Sequence, residues 1–177
     1  MQKILVPTDF SDNATKATDY AVALAEKTNA EIILLNVTTL LNSTFSSRRA
    51  LIKEYNNTRV AGIRDQLKEL QQSIAANSDK VKLTIKLYEG DVQDSILQCA
   101  KDENVDLIIM GTQGASGLKK IFIGSITAGI IGNTTVPVLA IPKKAEWKKL
   151  ENILFASLML IIKYLRPFLN LHIWKQH

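Results

Sequence analysis

Histidine and cysteine are nearly missing from this chain of 177 residues: it has two of the first and one of the second. A single cysteine, Cys99, excludes an intrachain disulfide and fits a reducing compartment. His172 and His177 both lie near the C-terminal end. Residues 1–142 therefore cannot assemble a Ser-His-Asp or Cys-His nucleophilic set, and no His/Cys cluster suggests zinc. No basic segment followed by an apolar stretch and a cleavage site opens the chain, so no secretory signal is expected and the cytoplasm is the expected compartment. Residues 153–162 are apolar but too short to span a bilayer, which needs about 20 such residues, and a membrane role is not expected. Excess charge is missing as well, outside the tail. Residues 1–142 hold 15 Lys/Arg and 15 Asp/Glu, whereas residues 143–177 hold 7 and 2. The formal charge of +5 thus belongs to the tail, and nothing in the body argues for nucleic-acid binding. Two common phosphate motifs are absent too. No Gly-Lys-Ser/Thr follows the glycine-rich stretch, and Gly111 and Gly114 are too far apart for G-x-G-x-x-G.

What is present is a regular alternation of short apolar runs and helical patterns. Ile4, Leu5 and Val6, ended by Pro7, read as a first strand. Ser11 or Asp12 then caps a helix to about Thr28, with Ala14, Ala17, Ala21, Leu24 and Ala25 on one face. Residues 31–37 form a continuous apolar run that suits a strand buried on both faces. After a polar connection, a long helix is expected over about residues 48–76, with a stripe of Leu51, Tyr55, Val60, Ile63, Leu67, Leu70 and Ile74. Asn56, Asn57 and Thr58 mark a place where it kinks or divides. Residues 81–88 alternate with period two, as an edge strand does. Asp91 can cap a helix carrying Val92, Ile96, Leu97 and Ala100, which ends near Asn104. Residues 107–110 read as a buried strand. A helix from Gly124 to about Asn133 and a strand at 136–141 close the pattern. The order βαβαβαβαβ predicts an α/β fold, a parallel sheet with helices on both faces.

The most unusual stretch follows the fourth strand. Gly111, Gly114 and Gly117 share one loop, which closes at Gly124-Ser125 where a helix starts. Glycines let backbone N–H groups approach an anion, and a helix start adds donors and a favourable dipole. The alternative is a sharp turn that needs glycine and nothing else. Gly111-x-x-Gly114, nine residues, then Gly124-Ser125 resembles the ATP-binding motif of the universal stress protein family. Lys3-Ile-Leu-Val-Pro-Thr-Asp-Phe-Ser11 is similar to that family's first strand and Asp-bearing turn, and Val136-Pro-Val-Leu-Ala-Ile-Pro142 to its last strand. The resemblance covers residues 1–142. It implies a five-stranded, Rossmann-like sheet of order 3-2-1-4-5, like that of adenine nucleotide alpha hydrolases. In such sheets ligands sit beyond the carboxyl ends of the strands, where the order reverses. Here that point lies between the first and fourth strands.

The resemblance also implies a ligand, ATP, with Mg²⁺ as a possible companion. Asp9 would bond a ribose hydroxyl or a Mg²⁺-bound water, or else cap the first helix. Pro7 and Thr8 would shape the pocket wall, and Val37 would turn its backbone to the adenine. Met110, at the end of the fourth strand, joins the set. Gly111 and Gly114 would place N–H groups near the α- and β-phosphates. Gly124, Ser125 and Ile126 would add helix-start amides, and the Ser125 hydroxyl would reach the terminal phosphate. Lys119 and Lys120 would steer an anion or form a solvated basic patch. Cys99, beside Ile96 and Ala100, reads as core. With no general base other than Asp9, binding with slow or no turnover is expected. Two other readings stand beside this one: a nucleotide-free interaction module of the same fold, and a weak ATPase or nucleotidyl transferase. In the family's manner, residues 136–141, opened by Val136 and closed by Ile141, would pair two copies into a homodimer.

Residues 143–177 form a charged linker and an apolar, basic tail. Asn152-Ile-Leu-Phe-Ala-Ser157 echoes Lys3-Ile-Leu-Val-Pro-Thr8, but Leu158-Met159-Leu160 stands where Asp9-Phe10-Ser11 should recur. The tail is a truncated second repeat or a native extension. Leu165, Phe168, Leu169 and Trp174 beside Lys163, Arg166 and Lys175 would make an interfacial amphipathic element, or an apolar tail that covers its own domain, joins a dimer contact or aggregates.

Overall fold

The computed structural model describes residues 1–42, 48–112, 123–143 and 145. The tail readings, together with Gly114, Gly117, Lys119 and Lys120, lie outside the described residues.

Strand β1 (Lys3–Pro7) buries Ile4, Leu5 and Val6 completely. Helix α1 (Asp12–Thr28) begins at Ser11, whose hydroxyl accepts the Ala14 N–H at 3.3 Å. It stops at Asn29, which takes the left-handed conformation (φ 54°) that Asn tolerates better than most residues. Buried Ala14, Ala17, Ala21 and Ala25 keep the contact face flat, so α1 lies against the sheet. Strand β2 (Glu31–Thr38) extends one residue past the expected end, because Thr38 still pairs with Glu89.

Helix α2 (Arg49–Asn77) runs unbroken through Asn56, Asn57 and Thr58, where a kink or division was expected. The Asn56 side chain instead clips the chain arriving from β2: its Oδ1 accepts the Leu41 N–H at 3.1 Å and its Nδ2 donates to the Leu41 carbonyl at 2.8 Å. The inward stripe also differs in its first two turns. Leu51 and Tyr55 are exposed, at 68% and 50%, while Ile52 and Asn56 are part-buried and Leu67 and Ile74 buried. The four-residue spacing from Ile52 to Asn56 to Val60 fits the helical period; a stripe through Leu51 does not.

Strand β3 (Leu83–Glu89) leads through Gly90 to α3 (Val92–Asp102). Asp91 caps α3, accepting the Gln93 and Asp94 N–H groups at 2.8 and 3.1 Å. The helix closes at Asp102 because Asn104, two residues on, is left-handed (φ 50°). Strand β4 (Leu107–Gly111), α4 (Ser125–Asn133) and β5 (Val138–Ile141) complete the order. β5 starts later than Val136 because that residue's N–H turns back to the Thr134 hydroxyl at 3.0 Å and Pro137 has no N–H.

All four strand pairs are parallel, and the order is β3-β2-β1-β4-β5, as the resemblance implied. Alternate side chains feed two cores. One packs Ile4, Val6, Ile32, Leu34, Leu107 and Ile109 with α1 and the inner face of α2. The other packs Leu5, Ile33, Leu35 and Ile108 with Ile96 and Cys99 of α3 and Ile130 of α4. Each fully buried Ile or Leu contributes about 2 kcal/mol. The adjacent strands β1 and β4 launch their following loops from the same sheet end, and the crevice lies there.

Candidate functional site

The crevice opens beyond the carboxyl ends of β1, β2 and β4. Its volume is about 240 Å³, room for several waters at about 30 Å³ each. Pro7, Thr8 and Asp9 line it from the end of β1, Gly124, Ser125 and Ile126 from the start of α4, Val37 from β2 on the far side of β1, and Met110 and Gly111 from β4. Nine of the ten expected residues thus meet in one place; the tenth, Gly114, lies outside the described residues.

The Asp9 wall is held tightly. The Thr8 N–H donates to the Leu35 carbonyl at 2.8 Å, and the Thr8 carbonyl accepts from Asn36 Nδ2 at 2.8 Å. Both backbone polar groups of Thr8, on two successive peptide units, are therefore tied to β2. The next two amides close tight side-chain turns: Phe10 N–H donates to Thr8 Oγ1 and Ser11 N–H to Asp9 Oδ1, each at 3.1 Å. Ser11, not Asp9, caps α1, so the capping alternative for Asp9 gives way to a turn-forming role. Phe10 holds φ at 61°, a region a bulky side chain rarely adopts and that costs about 1–3 kcal/mol; its ring packs against the α1-side core, which holds it there.

The α4 side starts with Gly124, extended (φ −59°, ψ 154°), which as the N-cap residue of α4 offers no side-chain cap. By contrast, α1 and α3 are capped by Ser11 and Asp91. The Gly124 N–H donates to the Thr112 carbonyl at 2.7 Å, so this amide, expected to face a phosphate, ties the helix start to β4 instead. The Ser125 and Ile126 amides, with no intrahelical acceptor by geometry, and the Ser125 hydroxyl remain as donors at the crevice. Thr127 Oγ1 donates to the Gly111 carbonyl at 2.8 Å. Gly111 has a packing reason for being glycine: a Cβ there would sit 2.3 Å from Asn13 Nδ2.

The floor is apolar, from Ala14, Leu35, Val92 and Ile96. Asp9 is the sole ionisable side chain among the described lining residues. No His/Cys/Asp/Glu group among the described residues is arranged to cage a metal. A lone carboxylate suits Mg²⁺ that keeps waters and substrate oxygens as its other ligands. Cys99 is buried and its thiol is pushed up by that burial, the opposite of an activated nucleophile. Sequence reasoning missed Asn36 and Thr127. The signal for Asn36 was a lone amide near the end of an otherwise apolar strand run, where a buried polar side chain needs a partner.

A family model, the universal stress protein family, matches residues 1–142. Universal stress protein MJ0577 of Methanocaldococcus jannaschii is 30% identical over 156 residues, covering 81% of this chain and 96% of that protein. Universal stress protein YxiE of Bacillus subtilis is 32% identical over 145 residues, covering 78% and 97%. Among solved structures, universal stress protein UspA from Lactobacillus plantarum superposes with a TM-score of 0.71 at 26% identity, over 79% of this chain and 97% of that one. Among the described residues, no helix is long and apolar enough to cross a membrane.

Proposed function

The chain belongs to the universal stress protein family, and on that footing we propose that its crevice binds an adenine nucleotide, ATP with Mg²⁺, and that the bound state governs association with other proteins in a cytoplasmic stress response. The observation that carries this reading is the start of α4, which no described side chain caps, sharing a crevice with the Asp9 turn and an apolar floor. Apolar side chains suit a purine, a carboxylate suits ribose hydroxyls or a hydrated Mg²⁺, and a helix start suits phosphate. A universal stress protein from Archaeoglobus fulgidus, solved in complex with dAMP, has a TM-score of 0.55 and 17% identity to this chain, a likeness of fold. Hydrolysis is slow or absent in this reading, since Asp9 is the one candidate base among the described lining residues. Self-association runs through β5, which among the described residues pairs with β4 alone and so presents an edge.

Calorimetry with Mg·ATP tests the proposal. The wild type should bind one equivalent, and Ser125→Asp should weaken binding by at least about tenfold, an electrostatic penalty of about 1.4 kcal/mol or more. An acidic residue in the first turn favours the helix itself, so loss of binding would not reflect loss of α4. Absence of ATP binding by the wild type, or a variant that binds equally well, would defeat the proposal.

A further inference from the structure

The glycine-rich loop leaves β4 at Thr112 and returns at α4, and two hydrogen bonds join its feet. One is backbone to backbone, Gly124 N–H to the Thr112 carbonyl at 2.7 Å. The other is the Thr127 hydroxyl to the Gly111 carbonyl at 2.8 Å. Thr127 behaves differently from other helical threonines here. Thr15, Thr18 and Thr28 turn their hydroxyls back on the carbonyl four residues earlier, namely Ser11, Ala14 and Leu24. That is the common local bond of a helical threonine. Thr127 crosses to another element. Its side chain is on the helix turn that carries the Ser125 and Ile126 amides, and it is only 3% exposed. On the far side of α4, Gly129 leaves room for Gln93 of α3: a Cβ at Gly129 would lie 2.1 Å from Gln93 Oε1. The helix start is thus tied to β4 at Thr127 and seated against α3 on its opposite face, two residues on, at Gly129.

We infer that Thr127 is a positioning residue for the phosphate end of the ligand. Its hydroxyl fixes the distance between the end of β4 and the donors at Ser125 and Ile126, without touching the ligand's base or sugar. The inference rests on the nucleotide-binding reading and adds to it which residue sets phosphate affinity as distinct from nucleoside affinity.

The test compares ATP and adenosine on the full chain and on Thr127→Val and Thr127→Ser. Valine keeps the shape and removes the hydroxyl; serine keeps the hydroxyl. Thr127→Val should bind ATP about tenfold more weakly, the upper end for one hydrogen bond, with adenosine affinity unchanged, and Thr127→Ser should stay near wild type. Equal weakening of ATP and adenosine would mean a general disturbance of the crevice and would overturn the inference. So would unchanged ATP binding by the valine variant, or failure of serine to rescue. If the wild type itself bound neither ligand, the nucleotide reading would be the part that failed, and the positioning role would fall with it. Wild-type binding with an indifferent valine variant removes the positioning role alone.

Discussion

A methyl group on Gly111 would lie 2.3 Å from Nδ2 and 2.8 Å from Cγ of Asn13, a side chain itself only 3% exposed. Something must move, and the neighbours are the helix α1 backbone and the end of β4. Gly111→Ala should therefore lower stability by about 1–3 kcal/mol, the usual range for an overpacked site. Asn13→Ala in the same chain should recover part of that loss; denaturant unfolding of the three variants measures both, and a neutral Gly111→Ala would show the contact to be slack. This residue also shows where reading the sequence stops. Glycine spacing points to the right loop, but spacing cannot separate a glycine required by a ligand from one required by a helix packed behind it. The same limit applies to Gly124, whose amide ties down α4 rather than facing the crevice. Asn36 and Thr127 act through partners 28 and 16 residues away, and contacts of that range are not written in local pattern.

Three elements meet at Glu103, just past α3. Lys86 of β3 and Lys3 of β1 both pair with its carboxylate, the latter at 3.2 Å. The Lys86 hydrogen bond, then that of Lys3, holds Glu103 below its ordinary value of 4.5. Glu31 of β2 is also held below 4.5, first by Lys82 and then by Thr84. For a carboxylate depressed in the folded state, the stabilisation is present above pH 4.5 and is lost as pH falls through the lower folded value. Glu103→Gln should thus flatten part of the acid-side loss in a series of unfolding measurements, with little change in its shape near neutrality. An acid limb identical to wild type would show the corner to be energetically idle. At this scale the elements themselves were legible because their periods are strong. The error in α2 arose because Leu51 and Tyr55 are apolar by composition yet face solvent, while Asn56, polar by composition, faces inward to clip Leu41.

The whole molecule has two unlike sheet edges. β3 is half-exposed, and Lys86 within it, like Lys82 just before it, is engaged by an acidic neighbour. At β5 all four residues are buried, yet among the described residues β4 is its one partner strand. Charged side chains discourage strand pairing at the first edge, and β5 carries none, which suits the proposed pairing with a second copy. Sedimentation of the full chain, and of a chain ending at Lys144, should therefore give a dimer in both cases; a monomer at high concentration would remove the β5 contact from consideration. The alternation of strands and helices was plain in the sequence. The strand order was not, since periodicity says nothing of neighbours; it came from resemblance and is borne out by the sheet.

The grip of β2 on both the N–H and the carbonyl of Thr8 has a kinetic meaning. That turn gave up its freedom when the chain folded, so a guest arriving at the crevice finds its backbone already in place. Among the described residues the turn over residues 8–11 needs no further ordering at the moment of capture, so its share of the encounter should proceed at the pace of diffusion and orientation.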